Sequence, residues 1–213
     1  RFFPVVWIGM GLAALQTFTG IDVVFYYGSV LWKAAGFTEA DALLTNVIMG
    51  GVNIAFTVLA MFFVDRVGRK PLLMIGGIGQ AVMLGLMALI FTVSSKDASR
   101  GIEMSGTTGI LALAAAIGFI AFFALTWGPV MWVMLGEMFP NKYRGSALAV
   151  GGMSNWLANF VVAMTFPVLL TNFGLGVSYG IYAFFGIIAF VFVKRYVKET
   201  KGKTLEEISL EQD

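Results

Sequence analysis

Gln16, Thr17, Thr19 and Asp22 fall close together inside an otherwise apolar stretch, and Tyr26 and Tyr27 follow a turn later. Hydrogen-bonding and ionisable groups are costly in lipid, so they face a bundle interior or a wet cavity. Gly20 sits among them and lets a helix break, and broken helices line polar sites at membrane depth. For Thr17 and Thr19 the plain reading is bonding to their own helix. For Gln16 and Asp22 a functional reading is preferred, because burying an amide and an acid without purpose is expensive. The chain has no His and no Cys. Disulfides and thiolate metal sites are excluded, the usual imidazole proton carrier is missing, and any proton chemistry falls to carboxylates. No metal site, no cofactor and no nucleic-acid partner are expected.

Further polar groups interrupt later apolar runs. Asn53 follows Gly50-Gly51 in the middle of one. In Ser154-Asn155-Trp156-Leu157-Ala158-Asn159, Asn155 and Asn159 are four apart and share a helix face. Three Asn at this depth argue for a polar cavity, although Asn159 fits interhelical bonding equally well. Trp127-Gly128-Pro129-Val130-Met131-Trp132 places a helix-kinking Gly-Pro between two Trp. Core packing is the plain reading of that pair; a flat apolar ring beside a helix break also suits stacking on a sugar.

The elements that must position these groups follow from where charges are absent. The chain has 213 residues, of which 59% are hydrophobic and 12% charged, about half the charged share of a soluble domain. A membrane-crossing helix needs about 20 apolar residues. Uncharged runs predict spans near 4–33, 42–64, 71–94, 108–137, 146–170 and 177–196, the last two separated by the weakly polar Thr171-Asn172-Phe173-Gly174. The expected fold is an all-α membrane protein, a six-transmembrane-helix bundle over 1–197, with a polar tail over 198–213. Strand alternation, the mark of a membrane β-barrel, is absent from these runs. In the tail, Thr204 and Glu207 have the spacing of a capping box.

With six spans both ends lie on one side. Of the 14 Lys and Arg, only Lys33, Lys96 and Arg100 fall on the opposite side. The positively charged side, holding both ends, is expected to be cytoplasmic. It carries Asp65-Arg66-Val67-Gly68-Arg69-Lys70 and Glu137-Met138-Phe139-Pro140-Asn141-Lys142-Tyr143-Arg144-Gly145. Glu137 and Arg144 are placed to join Asp65 and Arg69 in an ion-pair network that latches one conformation and releases in another.

Taken in order, Gln16…Gly20-Ile21…Tyr26-Tyr27, Asp65–Lys70, Trp127-Gly128-Pro129…Trp132, Glu137-Met138-Phe139-Pro140…Arg144-Gly145 and Glu199-Thr200-Lys201-Gly202-Lys203-Thr204-Leu205-Glu206-Glu207 resemble the sugar porter family of the major facilitator superfamily. The likeness runs over essentially the whole chain and matches the C-terminal half of such a carrier, nearest in appearance to bacterial D-xylose–proton symporters and hexose permeases. The resemblance implies sugar contacts at Gln16, Asp22, Tyr26, Asn53, Gly128, Trp132, Asn155 and Trp156. It implies a conformational charge network of Asp65, Arg69, Glu137, Arg144 and Glu199.

Three positions depart from the family pattern. Thr17 stands where a second Gln is usual, Asp22 where Asn is usual, and Lys198 where Pro is usual. Asp22 is expected to act as a neutral, Asn-like partner; the alternative is a titrating acid coupled to protons.

The resemblance further implies transport of a monosaccharide such as xylose or glucose by alternating access in a cell membrane, without enzymatic chemistry. The partners would be the sugar, the lipid bilayer, a six-helix N-terminal half absent from this chain, and protons. Facilitated uniport and a non-transporting sugar sensor are the rival readings. The short tail argues against the sensor.

Overall fold

The structure, a computed structural model, describes residues 4–34, 36–96 and 106–210. Arg1, Arg100 and the tail residues 211–213 lie outside the described residues. All regular elements among the described residues are α-helices.

The first apolar run divides into three helices, α1 (Pro4–Phe18), α2 (Ile21–Tyr26) and α3 (Gly28–Ala34). The first division has a local cause. Thr17 Oγ1 donates to the Ala14 carbonyl and Thr19 Oγ1 to the Gln16 carbonyl, each at 3.0 Å. Gly20 then adopts φ 82° and ψ 20°, a left-handed conformation that glycine takes without a Cβ penalty. Its carbonyl accepts from the Val23 and Val24 N–H groups and starts the ladder again. A methyl group at Gly20 would also lie 2.7 Å from the Tyr182 ring. Gly20→Ala is therefore expected to cost about 2 kcal/mol in backbone strain, before any displacement of Tyr182. A fall of about 5 °C in the melting temperature of the purified protein checks this; unaltered melting would show that Gly20 does not fix the break.

Helix α4 (Glu39–Val67) begins at Thr38, whose Oγ1 accepts from the Asp41 N–H at 3.2 Å. Glu39 and Asp41 add negative charge to its first turn, where the helix dipole favours it. Gly68, at φ 104°, separates α4 from α5 (Arg69–Lys96). Helices α6 (Gly106–Leu125) and α7 (Trp127–Met138) form one apolar stretch broken at Thr126. Pro129 lacks an N–H and crowds the carbonyl of Leu125, which ends the α6 ladder. Thr126 Oγ1 donates to the Phe122 carbonyl at 2.6 Å and covers one acceptor at that end.

Helix α8 (Arg144–Tyr196) takes in 53 residues and encloses a kink. At about 1.5 Å per residue it would reach roughly 80 Å, far beyond the ~30 Å of a hydrocarbon core. Gly174 resolves this, because at φ 78° and ψ 179° it is non-helical and the chain doubles back there. Contacts along α1 show the reversal. Ser154 Oγ donates to Met10 O, Asn155 Nδ2 to Ala13 O and Tyr27 Oη to Ala163 O, so residues 144–173 ascend with α1. Phe192 packs on Gly11, Phe185 stacks on Phe18 at 5.0 Å, and Tyr182 packs on Gly20, so residues 175–196 descend against it. Among the described residues the bundle therefore has six segments long and apolar enough to cross a membrane: α1–α2, α4, α5, α6–α7, and the two halves of α8.

Small residues let these helices approach closely, as expected where lipid supplies no hydrophobic drive between them. A Cβ at Gly186 would lie 3.0 Å from Ala81, and one at Gly77 would lie 3.0 Å from the Phe190 backbone. The exposed side of α4 carries Leu43, Val47, Ile54, Met61 and Phe62, a surface suited to lipid. Helix α9 (Leu205–Leu210) is capped as the Thr204–Glu207 spacing predicts: Thr204 N–H donates to Glu207 Oε2 at 2.8 Å and Glu207 N–H to Thr204 Oγ1 at 3.3 Å.

Candidate functional site

Gln16 is buried in the last turn of α1, just before the break. Its Nε2 donates to the Trp127 carbonyl at 2.8 Å and to the Gly128 carbonyl at 3.2 Å, in the first turn of α7. Asn155 Nδ2 donates to the Ala13 carbonyl at 2.8 Å and to Gln16 Oε1 at 2.9 Å. Backbone carbonyls can only accept, so they fix which end of each amide faces them. The result is a clamp tying α1, α7 and the first half of α8 at the depth where α1 breaks.

Over this clamp lies a cleft of about 240 Å³. Gln16, Asp22, Tyr26, Asn53, Asn155 and Trp156 line it, drawn from α1, α2, α4 and α8. The Asn159 side chain also lines it, beside Asp22. The floor is buried, whereas Tyr26 and Trp156 are exposed at the rim, the latter at 69%.

Gly128 and Trp132 do not line the cleft. Gly128 contributes only its carbonyl, to Gln16. Trp132 lies on α7 with its side chain 42% exposed, outside the cleft wall. Trp127 is an anchor between helices: it is buried, and its Nε1 donates to the Leu73 carbonyl at 2.8 Å.

Thr17, Ile21, Phe25 and Phe123 complete the wall, and only Thr17 was weighed from sequence, as helix-bonding. It does bond its own helix, and it faces the cleft as well. Phe25 carried a usable signal, since it stands three residues after Asp22 and shares its face. Phe123 carried none, because α6 reaches this cavity only through tertiary packing.

A second polar cluster gathers where α4 meets α5. Arg69 holds Glu137 through two bonds, Nε to Oε2 at 3.0 Å and Nη2 to Oε1 at 2.7 Å. Its Nη2 also stands 2.9 Å from Asp65 Oδ1, and its Nη1 donates to the Val64 carbonyl at 3.2 Å. Glu199 accepts from the backbone N–H groups of Arg69 at 3.1 Å and Lys70 at 3.0 Å, at the N-terminus of α5. Thr200 Oγ1 donates to Glu137 Oε2 at 2.6 Å. Asp65, Arg69, Glu137 and Glu199 are thus contiguous. Arg144 is not part of this chain: its Nε donates to the Phe139 carbonyl at 3.1 Å, and it makes no ion pair among the described residues. The start of α8 turns it toward the 139–143 loop instead. Thr200 was not singled out from sequence; its place beside Glu199 was the available signal.

Residues 2–211 match the family model described as "Sugar (and other) transporter". The chain is 50% identical over 205 residues to the glucose transport protein of Synechocystis sp., covering 96% of this chain and 44% of that protein. It is 42% identical over 210 residues to the D-xylose-proton symporter of Escherichia coli K12, covering 96% of this chain and 40% of that protein. The structure of the major facilitator superfamily proton:xylose symporter XylE, bound to 6-bromo-6-deoxy-D-glucose, superposes with a TM-score of 0.84 at 40% identity. That match covers 98% of this chain and 42% of that one. The chain therefore spans about two fifths of the length of the curated relatives it matches. With a six-segment membrane bundle, a polar cleft at a helix break and a family model matched from residue 2 to residue 211, the chain belongs to the Sugar (and other) transporter family.

Proposed function

We propose that this bundle forms one wall of a monosaccharide site in a membrane carrier that works by alternating access. One observation carries the reading: amides and aromatic rings converge from five helices on a single cleft above a broken helix. Amides and a carboxyl meet sugar hydroxyls, and Phe25, Phe123 and Trp156 cover the apolar ring faces. The sugar contacts are Gln16, Asp22, Tyr26, Asn53, Asn155 and Trp156. Trp132 joins them from the exposed face of α7 when a second six-helix bundle stands over the cleft, and Gly128 serves by anchoring Gln16. The relatives named above, one a glucose transport protein and one a D-xylose-proton symporter, support glucose or xylose as substrate and protons as the coupling ion.

The end bearing Asp65, Arg69, Glu137 and Glu199 is cytoplasmic in this reading, because most Lys and Arg gather there. Those residues hold α4, α5 and α7 and the tail together in one conformational state. No bond is made or broken in the substrate. Uptake of radiolabelled glucose and xylose into proteoliposomes containing the intact carrier tests the proposal. Saturable uptake of either sugar, accelerated by an inward proton gradient, is the expected result. Absence of saturable uptake of both sugars rejects it, and uptake indifferent to the gradient replaces symport with uniport.

A further inference from the structure

Every N–H of the Gln16 amide and of the Asn155 amide is committed inside the protein, three of the four to backbone carbonyls and the fourth to Gln16 Oε1. The Thr17 hydroxyl proton is committed as well, to Ala14 O. What these three side chains have left to offer a ligand is oxygen that accepts. Asp22, when ionised, also only accepts, and Asn159 lines the same cleft beside it. No Lys or Arg among the described residues lines the cleft. The buried floor is thus an acceptor surface bearing one acid and no counter-cation, while free donors stay at Asn53 and the exposed rim.

A ligand in such a site is read by the protons it donates. A hydroxyl satisfies it; a group that only accepts leaves two buried acceptors facing each other, which costs more than an empty contact. An ammonium donates three protons and also meets the one acid in the wall.

We propose that Asp22, ionised rather than neutral as expected from its place in the sequence, and set beside an acceptor floor, is a specificity-determining residue that lets this site take protonated amino sugars, monosaccharides with one hydroxyl replaced by ammonium. The inference rests on the monosaccharide reading above and names a further substrate class for the same cleft. Asn159 is the positioning residue that holds the carboxyl against the cleft wall.

Competition against radiolabelled glucose in the intact carrier at neutral pH tests it. The probes are monodeoxy glucoses bearing hydrogen, fluorine or an amine at the same carbon, taken position by position. At one position at least, the amine is expected to compete about tenfold better than the hydrogen analogue, and the fluorine analogue no better than hydrogen. Asp22→Asn is expected to collapse the amine-to-hydrogen ratio to near one. Asn159→Leu lowers the same ratio, and Asn159→Gln restores it. These ratios are taken within one protein sample and do not depend on how much of it folds. If glucose competes with itself but no amine outperforms its hydrogen analogue in the unaltered protein, the inference is wrong and the sugar reading stands. If neither glucose nor any amine competes, the sugar reading fails and takes this inference with it.

Discussion

Arg69→Leu is expected to destabilise the bundle by about 3 kcal/mol, the range found when one partner of a largely buried ion pair is removed. The Arg69 side chain is 12% exposed and that of Glu137 26%, so water replaces few of the lost contacts. The substitution removes the bidentate grip on Glu137, the contact with Asp65 and the bond to the Val64 carbonyl in a single step. Glu137 would keep only Thr200 Oγ1 among the partners described here. Arg69→Lys is expected to recover a minor part, since an ammonium cannot reproduce two parallel bonds to one carboxylate. Thermal unfolding of the purified protein measures the effect. A loss below about 1 kcal/mol, the worth of an exposed pair, would show that the network is ornamental in this state. The Asp65 contact by itself contributes little, because that side chain is 75% exposed.

Gln16→Leu is expected to weaken sugar binding about 100-fold, or roughly 2.7 kcal/mol. Leucine keeps the bulk and removes both ends of the clamp. The Trp127 and Gly128 carbonyls lose a donor, and Asn155 Nδ2 loses the acceptor that fixes one of its protons. The Asn155 amide is then free to turn, and the acceptor floor under the cleft is no longer set. For that reason the two residues should not act independently. The double variant Gln16→Leu/Asn155→Leu is expected to lose less than the sum of the single losses, by at least about 1 kcal/mol, as residues in one hydrogen-bond network do. Calorimetric titration of glucose or xylose into the detergent-solubilised carrier gives all three numbers. Additive losses would mean that each side chain meets the sugar alone and that no clamp exists.

Much of the architecture was legible because lipid imposes a coarse rule. Long uncharged runs must become helices, as no other open structure satisfies its backbone in hydrocarbon. The separation at 171–174 was readable from its polarity, and Gly174 is the residue that turns there. The break in the first run at Gly20 was also signalled, by a glycine among Thr residues. Its second division, at Tyr27, stands next to Gly28 and was not singled out. The end of α6 was marked by Gly-Pro, yet the break itself falls at Thr126, three residues before the proline that causes it.

The cleft was legible in part for a related reason. A polar side chain in an apolar helix is rare enough to be noticed, which is how Gln16, Asp22, Asn53 and Asn155 stood out. Phe123 did not stand out, because one phenylalanine among the 20 in the chain is unremarkable until α6 brings it to the cavity. Trp132 and Arg144 stood out by type, yet Trp132 is not among the residues lining the cleft and Arg144 bonds the Phe139 carbonyl rather than the ion-pair chain.

The sequence by itself determined that the chain is a six-segment membrane bundle, which residues interrupt its apolar runs, and which loops carry its charges. Those are one-dimensional facts, enforced by the solvation cost of each side chain and each backbone group. Only the tertiary structure decided which way each amide faces. Gln16 and Asn155 have donors and acceptors in equal number as isolated residues. Three of their donors are spent on the carbonyls of Ala13, Trp127 and Gly128, each more than a hundred residues away along the chain. That pairing turns a polar helix break into an acceptor surface, and no reading of residue types along the chain could have assigned it.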